Sequence, residues 1–258
     1  MKQLIAILLF IIVLSSCQTG QISESEQQQT TDEWIYLFDG TSTEGWRAYN
    51  GDTLPPGWIA KDGELTFDTE LGLEQDYEGG KDIIYGAEEF DNFELHVEWK
   101  LPKGGNSGIF YHVKENIPDM AIYDISPEYQ LIDDENYATI HDLTEYNTGL
   151  GYENPSQLHA LQSTAADYAM YPADSTKKLN PVGEWNTTRI IFTPEQVEHW
   201  LNGEKVVSFV PWTEDWEKRK NDGKWKDAST YGSFKTGYIG FQDHSSPIWF
   251  RNIKIKKL

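Results

Sequence analysis

Nine residues, 243–251, contain an acid, an imidazole, an indole and a guanidinium: Asp243, His244, Trp249 and Arg251. An imidazole titrates near neutrality and can give or take a proton at physiological pH. A guanidinium stays charged and can hold an oxyanion. Polar groups placed beside a core must be paired, so the arrangement points to a site. The plain alternative is a surface turn with a structural Asp and an Arg salt bridge.

Alternation along two upstream runs supplies further candidates. In 106–113, Asn106, Gly108, Phe110 and His112 fall on one face of a strand. In 128–132, Glu128 and Gln130 share a face opposite Tyr129 and Leu131. A glutamate and a glutamine above a packed underside suit a polar cleft that binds hydroxyls; an exposed strand carboxylate is the ordinary alternative. Asp133 and Asp134 close the run, where acids more often cap a turn than carry chemistry; Asp133 remains a binding candidate. Ordinary glycoside hydrolysis needs two carboxylates across the scissile bond, and Glu128 with Asp133 or Asp243 could supply them. His96, His141, His159 and His199 have no ligand-like spacing, and no H-E-x-x-H zinc pattern occurs. No cofactor motif is present, while a hard divalent metal held by scattered carboxylates stays open.

The elements that must position these groups are short alternating runs broken by Gly, Asp, Asn and Pro. Phe93, Leu95, Val97, Trp99 and Leu101 point one way, and Glu94, His96, Glu98 and Lys100 the other, as in an antiparallel sheet with one buried face. Residues 189–192, 196–201, 205–210 and 238–242 read similarly. Asn202-Gly203 between two such runs predicts a two-residue hairpin. One short helix is expected within 212–226. Residues 142–171 follow neither period and read as a long loop over the sheet, where function concentrates. The class is all-β, a two-sheet jelly-roll sandwich over 34–258, with Phe93, Leu95, Val97, Trp99, Tyr129, Leu131 and Ile253 in its core.

Residues 1–16 read as a lipoprotein signal peptide: a charged start, an apolar run too short to span a bilayer, then Leu14-Ser15-Ser16 before Cys17. Cys17 is the sole cysteine, so lipidation there is expected and an intrachain disulfide is excluded. Residues 17–33 read as a disordered polar tether. The expected location is the outer membrane, with the domain periplasmic or surface-exposed. A net charge of −21 without a basic cluster argues against nucleic acid and anionic polymers as partners. Ten Trp residues favour a carbohydrate partner modestly, since indoles offer flat apolar faces to sugar rings.

The run G-Y-I-G-F-Q-D-H-S-S-P-I-W-F-R-N-I-K-I resembles the C-terminal signature of the 3-keto-disaccharide hydrolase family. Leu37-Phe-Asp-Gly40 with Gly45-Trp46, Phe93-Glu-Leu-His-Val-Glu-Trp-Lys100 with Gly104-Gly-Asn-Ser-Gly-Ile-Phe110, Glu128-Tyr-Gln-Leu-Ile-Asp-Asp134, Gly183-Glu-Trp-Asn186 and His199-Trp-Leu-Asn-Gly203 match in the same order. Departures are Ser245 where Gly is more usual, Ser126-Pro127 before Glu128, and a long insert between Glu135 and Pro181. The resemblance implies a concanavalin A/glucanase-like jelly roll and a sugar substrate oxidised at C3. In such a sugar the ketone acidifies the C2 proton, so a base can remove it, the C1–O bond can break by elimination, and water then adds. That route needs a base, a group for the enolate oxygen and an acid for the leaving alcohol. His244 suits base or acid, Arg251 the enolate and Glu128 the remaining proton transfer, with the roles open to permutation. Asn106, His112, Gln130, Asp133, Asp243 and Trp249 are the substrate-binding candidates. Glu128, His244 and Arg251 are expected to converge in one cleft. A non-catalytic glycan-binding lipoprotein of an uptake system is the alternative function.

Overall fold

The structure is a computed structural model and describes residues 33–258; the signal peptide, Cys17 and nearly all of the tether lie outside them. The strands in chain order are β1 (Ile35–Tyr36), β2 (Trp46–Ala48), β3 (Trp58–Lys61), β4 (Glu64–Phe67), β5 (Ile83–Phe90), β6 (Phe93–Lys100) and β7 (Asn106–Val113). They continue with β8 (Glu128–Ile132), β9 (Asn186–Thr193), β10 (Gln196–Leu201), β11 (Glu204–Phe209), β12 (Gly237–Phe241) and β13 (Ile248–Lys257). Among the described residues four short α-helices intervene: α1 (Thr69–Leu73), α2 (Tyr137–Ile140), α3 (Thr144–Gly149) and α4 (Glu214–Asp222).

Every strand pairing is antiparallel. One sheet has eight strands in the order β11-β10-β9-β6-β13-β4-β3, with β1 added on β13; the other has five, β2-β5-β12-β7-β8. This is the expected jelly-roll sandwich. β6 alternates as its pattern requires, with Phe93, Leu95, Val97 and Trp99 buried between the sheets. Tyr129, Leu131 and Ile253 are buried with them. Phe241 of the small sheet stacks on Phe250 of the large one at 4.0 Å. The Asn202-Gly203 hairpin joins β10 to β11 with both residues at positive φ, the geometry that matches strand twist.

Two bulges re-aim side chains. In β13 the inward residues are Ile248 and Phe250, then Ile253 and Ile255. Asn252, at φ 50°, absorbs the change of parity where the register with β6 shifts. In β7, His112 adopts φ 54° beside a register shift with β12. The bulge turns its ring between the sheets, 4.3 Å from Phe192, where Nε2 meets the Asp91 carbonyl at 2.8 Å. His112 therefore leaves the face it shares with Asn106 under strict alternation, and its assignment as a substrate-binding residue is corrected to core packing.

The segment from α2 to Tyr171 covers the outer face and free edge of β8. The long loop expected over 142–171 lies in it but carries the short helix α3, whereas the sequence pattern places a helix only within 212–226. It pairs as an extra strand would: Ala165 N–H donates to Gln130 O (2.8 Å), Gln130 N–H to Ala166 O (3.1 Å) and Tyr168 N–H to Glu128 O (2.9 Å). The buried Asn147 side chain braces it, donating to Pro155 O and Gln157 O and accepting from Gln162 Nε2.

Candidate active site

The outer face of the small sheet holds a polar row under this cover. Gly108 of β7 faces Gln130 of β8 across the ladder, and on its other side accepts from the Gln242 N–H at 2.9 Å. Asp82, just before β5, takes the Asp243 N–H on Oδ1 at 2.9 Å. Glu128 folds its carboxyl over Gly108: a Cβ at residue 108 would lie 2.0 Å from Glu128 Oε1. Only glycine leaves that space open.

A cavity of about 290 Å³ adjoins this row, lined by Asn106, Gln130, Tyr137, Tyr146, Tyr168 and His244 among others. Its size suits a small ligand rather than a long polymer. Among the described residues, Asn106 Oδ1, Glu128 Oε1 and Gln242 Oε1 are buried without a hydrogen-bond partner. Each such acceptor costs roughly 1–3 kcal/mol when left unpaired, and Asn106, which lines the cavity, is placed to meet a ligand hydroxyl. A larger cavity of about 540 Å³ lies beside Trp99, Asp133 and Asp134. Its two aspartates are already engaged: Asp134 pairs with Lys177 at 2.8 Å and accepts the Thr164 N–H, and Asp133 accepts the Gly104 N–H. The smaller cavity is the better site.

Burial sets the ionisation of these groups. Glu128 is 4% exposed, and burial pushes its pKa up to about 8, with the Lys224 ammonium opposing the rise and Asp82 and Asp167 adding to it. Part of the Asp82 side chain stays accessible, yet its embedded carboxyl is pushed up to about 7 by burial first and then by Asp243, against the pull of the Asp243 N–H. His244 is exposed at the rim. Crowding on its inner side lowers its pKa, the nearby His141 lowers it further, and its own backbone and Asp243 oppose. Near neutral pH the row thus presents a protonated carboxyl and a neutral imidazole. Among the described residues no three His, Cys, Asp or Glu side chains gather as a metal ion would require.

The structure brings Asn106, Gln130 and His244 to one cavity with Glu128 adjoining it, and separates the other candidates. Arg251 lies on the outer face of the large sheet, donating from Nε to Glu98 at 2.7 Å with its guanidinium 4.0 Å from the Trp185 ring centroid. The expected convergence of Arg251 with Glu128 fails because the two occupy different sheets; the arginine instead makes a salt bridge to Glu98. Trp249 shares that remote face, under the Lys100 ammonium. Asp133 closes a turn, accepting from the Gly104, Glu135 and Asn136 amides. Asp243 is turned from the cavity and holds the corner: Oδ2 accepts from Tyr77 at 2.6 Å and Trp58 at 3.3 Å, Oδ1 from the Ser245 N–H. Trp249, Asp133 and Asp243 are thus corrected from substrate binding to structural roles. Asp82, Gln242, Tyr146, Tyr168 and Lys224 were not among the candidates. Gln242 stands in the polar corner itself and was the one within reach of the sequence; Asp82 merely precedes an apolar strand.

Fold and cavity define a jelly-roll β-sandwich with a buried-acid site over one sheet. The chain belongs to the family of 3-keto-alpha-glucoside-1,2-lyase-like domains, whose model matches residues 33–256. A relative from Bacteroides thetaiotaomicron, named 3-keto-disaccharide hydrolase, is 35% identical over 94% of this chain and 84% of its own length. A crystal structure from Parabacteroides distasonis, provisionally described as a glycosyl hydrolase, is similar at 37% identity and TM-score 0.73, covering 92% of this chain and 98% of that one. A second from the same organism, described likewise, has 26% identity and TM-score 0.62 over 88% of this chain and 100% of its own.

Proposed function

We propose that this protein cleaves glycosidic bonds of 3-keto-glycosides by elimination and hydration. The observation that carries the reading is geometric: one polar cavity lined by His244, Asn106 and Gln130, with the Glu128 carboxyl buried next to it over Gly108. Burial raises the Glu128 pKa to about 8 and lowers that of His244. Neutral His244 takes the C2 proton, and the C2–H electrons form the enolate at O3. The enolate electrons return to the C3 carbonyl, C1=C2 forms, and the C1–O bond breaks. Protonated Glu128 gives its proton to the leaving alcohol, a transfer that a carboxyl with a pKa near the working pH performs well. Water then adds across C1=C2, its hydroxyl to C1 and a proton to C2. Asn106 and Gln242 offer sugar hydroxyls acceptors that otherwise lack partners, and Gln130 lines the cavity beside Asn106. The family and its named relatives support the substrate class.

A screen of 3-keto-glucosides against their unoxidised parents tests this. Turnover of the keto sugars, reduced on the order of a hundredfold or more in Glu128→Gln and His244→Ala, supports the reading; near-parental rates in both variants overturn it. A second reading is a conventional two-carboxylate glycosidase using Glu128 and Asp82, favoured by the upward shifts of both acids. Cleavage of unoxidised glycosides would select it. Sugar binding without any turnover would select the glycan-binding alternative. We also propose that lipidated Cys17 anchors the protein to the outer membrane; a Cys17→Ser variant that stays as membrane-bound as the parent would refute that.

A further inference from the structure

Elimination from a ketone needs a partner for the enolate oxygen, and Arg251 is on the wrong sheet. The cation that faces Glu128 is Lys224, which follows α4. Thr213 caps that helix by accepting the Trp216 N–H. Beyond it an aromatic stack fixes the chain, with Trp216 parallel to Tyr231 at 6.3 Å and Tyr231 to Trp225 at 4.2 Å. Trp225 Nε1 donates to Tyr168 O, and Arg219 Nη1 to Met170 O, tying the segment to the loop that covers β8. The Lys224 ammonium is held 4.4 Å from the Tyr168 ring centroid and 4.5 Å from that of Trp225, and donates to the Tyr146 hydroxyl at 3.2 Å. The Tyr146 and Tyr168 hydroxyls are 2.7 Å apart. Both tyrosines line the cavity.

Counting protons fixes what this group can do. Two phenols carry two O–H protons, and their mutual hydrogen bond uses one. An ammonium only donates, so Lys224 uses neither. The Gln162 side chain also bonds the Tyr168 hydroxyl as a donor, so whichever phenol donates to the other, the second O–H meets no acceptor among the described residues. The backbone bond from Tyr168 N–H to Glu128 O keeps this pair and the Glu128 strand side by side.

We propose that the Tyr146–Tyr168 pair, polarised by Lys224, is the oxyanion-binding device of the cavity, its free phenolic O–H donating to the ketone oxygen of the sugar and to the enolate oxygen that replaces it. The inference rests on the elimination route above. A charge-assisted chain strengthens toward a negative acceptor more than toward a neutral one, and water exclusion raises its value. Tyr168 and Tyr146 would touch the substrate; Lys224 acts through them as a positioning residue.

Two measurements on Tyr168→Phe, Tyr146→Phe, Lys224→Met and Lys224→Arg test it. On a 3-keto-glucoside, Tyr168→Phe should lower kcat on the order of a hundredfold with KM nearly unchanged. Adding Lys224→Met to it should cost little more, because the two act as one unit. Unchanged kcat in both single tyrosine variants would overturn the proposal. In calorimetry, the wild type should bind ionised D-arabinonohydroxamate, an enediolate mimic, at least about tenfold tighter than neutral methyl glucoside. Lys224→Met and Tyr168→Phe should lose that preference, measured as the ratio of the two affinities within each variant, while Lys224→Arg retains it. A preference absent from the wild type, or intact in both variants, refutes the device. Should the preference be lost as expected while the wild type turns over no 3-keto-glucoside, the elimination route fails and the oxyanion site stands.

Discussion

The Glu128 carboxyl occupies the space that any side chain at residue 108 would take, with Oε1 2.0 Å from where a Cβ would stand. The two residues lie on neighbouring strands, so the carboxyl is aimed by the absence of a side chain across the ladder. Gly108→Ala should leave the sandwich folded but push the carboxyl off its position. A loss of kcat on the order of a hundredfold is expected, since a displacement of about 1 Å at a reacting group has that scale. Steady-state kinetics beside circular dichroism check it; parental kcat in a folded variant would contradict the placement.

The pH profile of kcat/KM follows from two shifts of opposite direction. Activity should rise as His244 loses its proton, below the ordinary histidine range because its pKa is lowered. It should fall as Glu128 ionises near 8. Asp82, raised to about 7, titrates inside that window. The residual rate of Glu128→Gln should lack the upper limb, and a limb that persists there belongs to another group.

The same shift makes a stability prediction. A carboxyl whose folded pKa lies above its unfolded value binds more protons folded than unfolded between the two, so stability falls as pH rises from about 4.5 toward 8. Glu128 has this sign. Glu128→Gln should therefore unfold at a higher temperature than the parent at pH 7, by a free energy on the order of 3 kcal/mol at most. The gap should shrink as pH falls toward 4.5. A variant less stable than the parent at pH 7 would show that the carboxylate is better paired than its geometry indicates.

Much of the fold was legible because alternation records which face is buried. β6, the Asn202-Gly203 hairpin and the helix now placed at Glu214–Asp222 follow from local pattern. Periodicity fails where a bulge changes parity: His112 and Asn252 each add a residue at positive φ, and the faces beyond them switch. That alone removed His112 from the cleft. Arg251 misled for a different reason. Apolar neighbours in sequence lie on the opposite face of a strand, so they say nothing of what a guanidinium itself meets. Asp82 and Lys224 carry no local signal; only the pairing of β5 with β12 and the docking of α4 bring them to the site.

Arg251 offers a test of that correction. Its guanidinium bridges Glu98 and Trp185 on the outer face of the large sheet, far from the β7–β8 face. Arg251→Met should leave kcat/KM on any substrate within about twofold and cost about 1 kcal/mol or less of stability, as partly exposed ion pairs do. A large loss of turnover without unfolding would return this arginine to the chemistry.

The elimination route is tested most directly by following the C2 hydrogen. A 3-keto-glucoside deuterated at C2 and turned over in ordinary water should give a hydrolysed sugar that has exchanged its deuterium for solvent hydrogen. Its kcat/KM should be reduced relative to the protiated substrate wherever proton abstraction limits the rate. Full retention of deuterium at C2, with the bond to C1 nevertheless cleaved, would mean direct displacement at C1 and would contradict the roles given to His244 and Glu128.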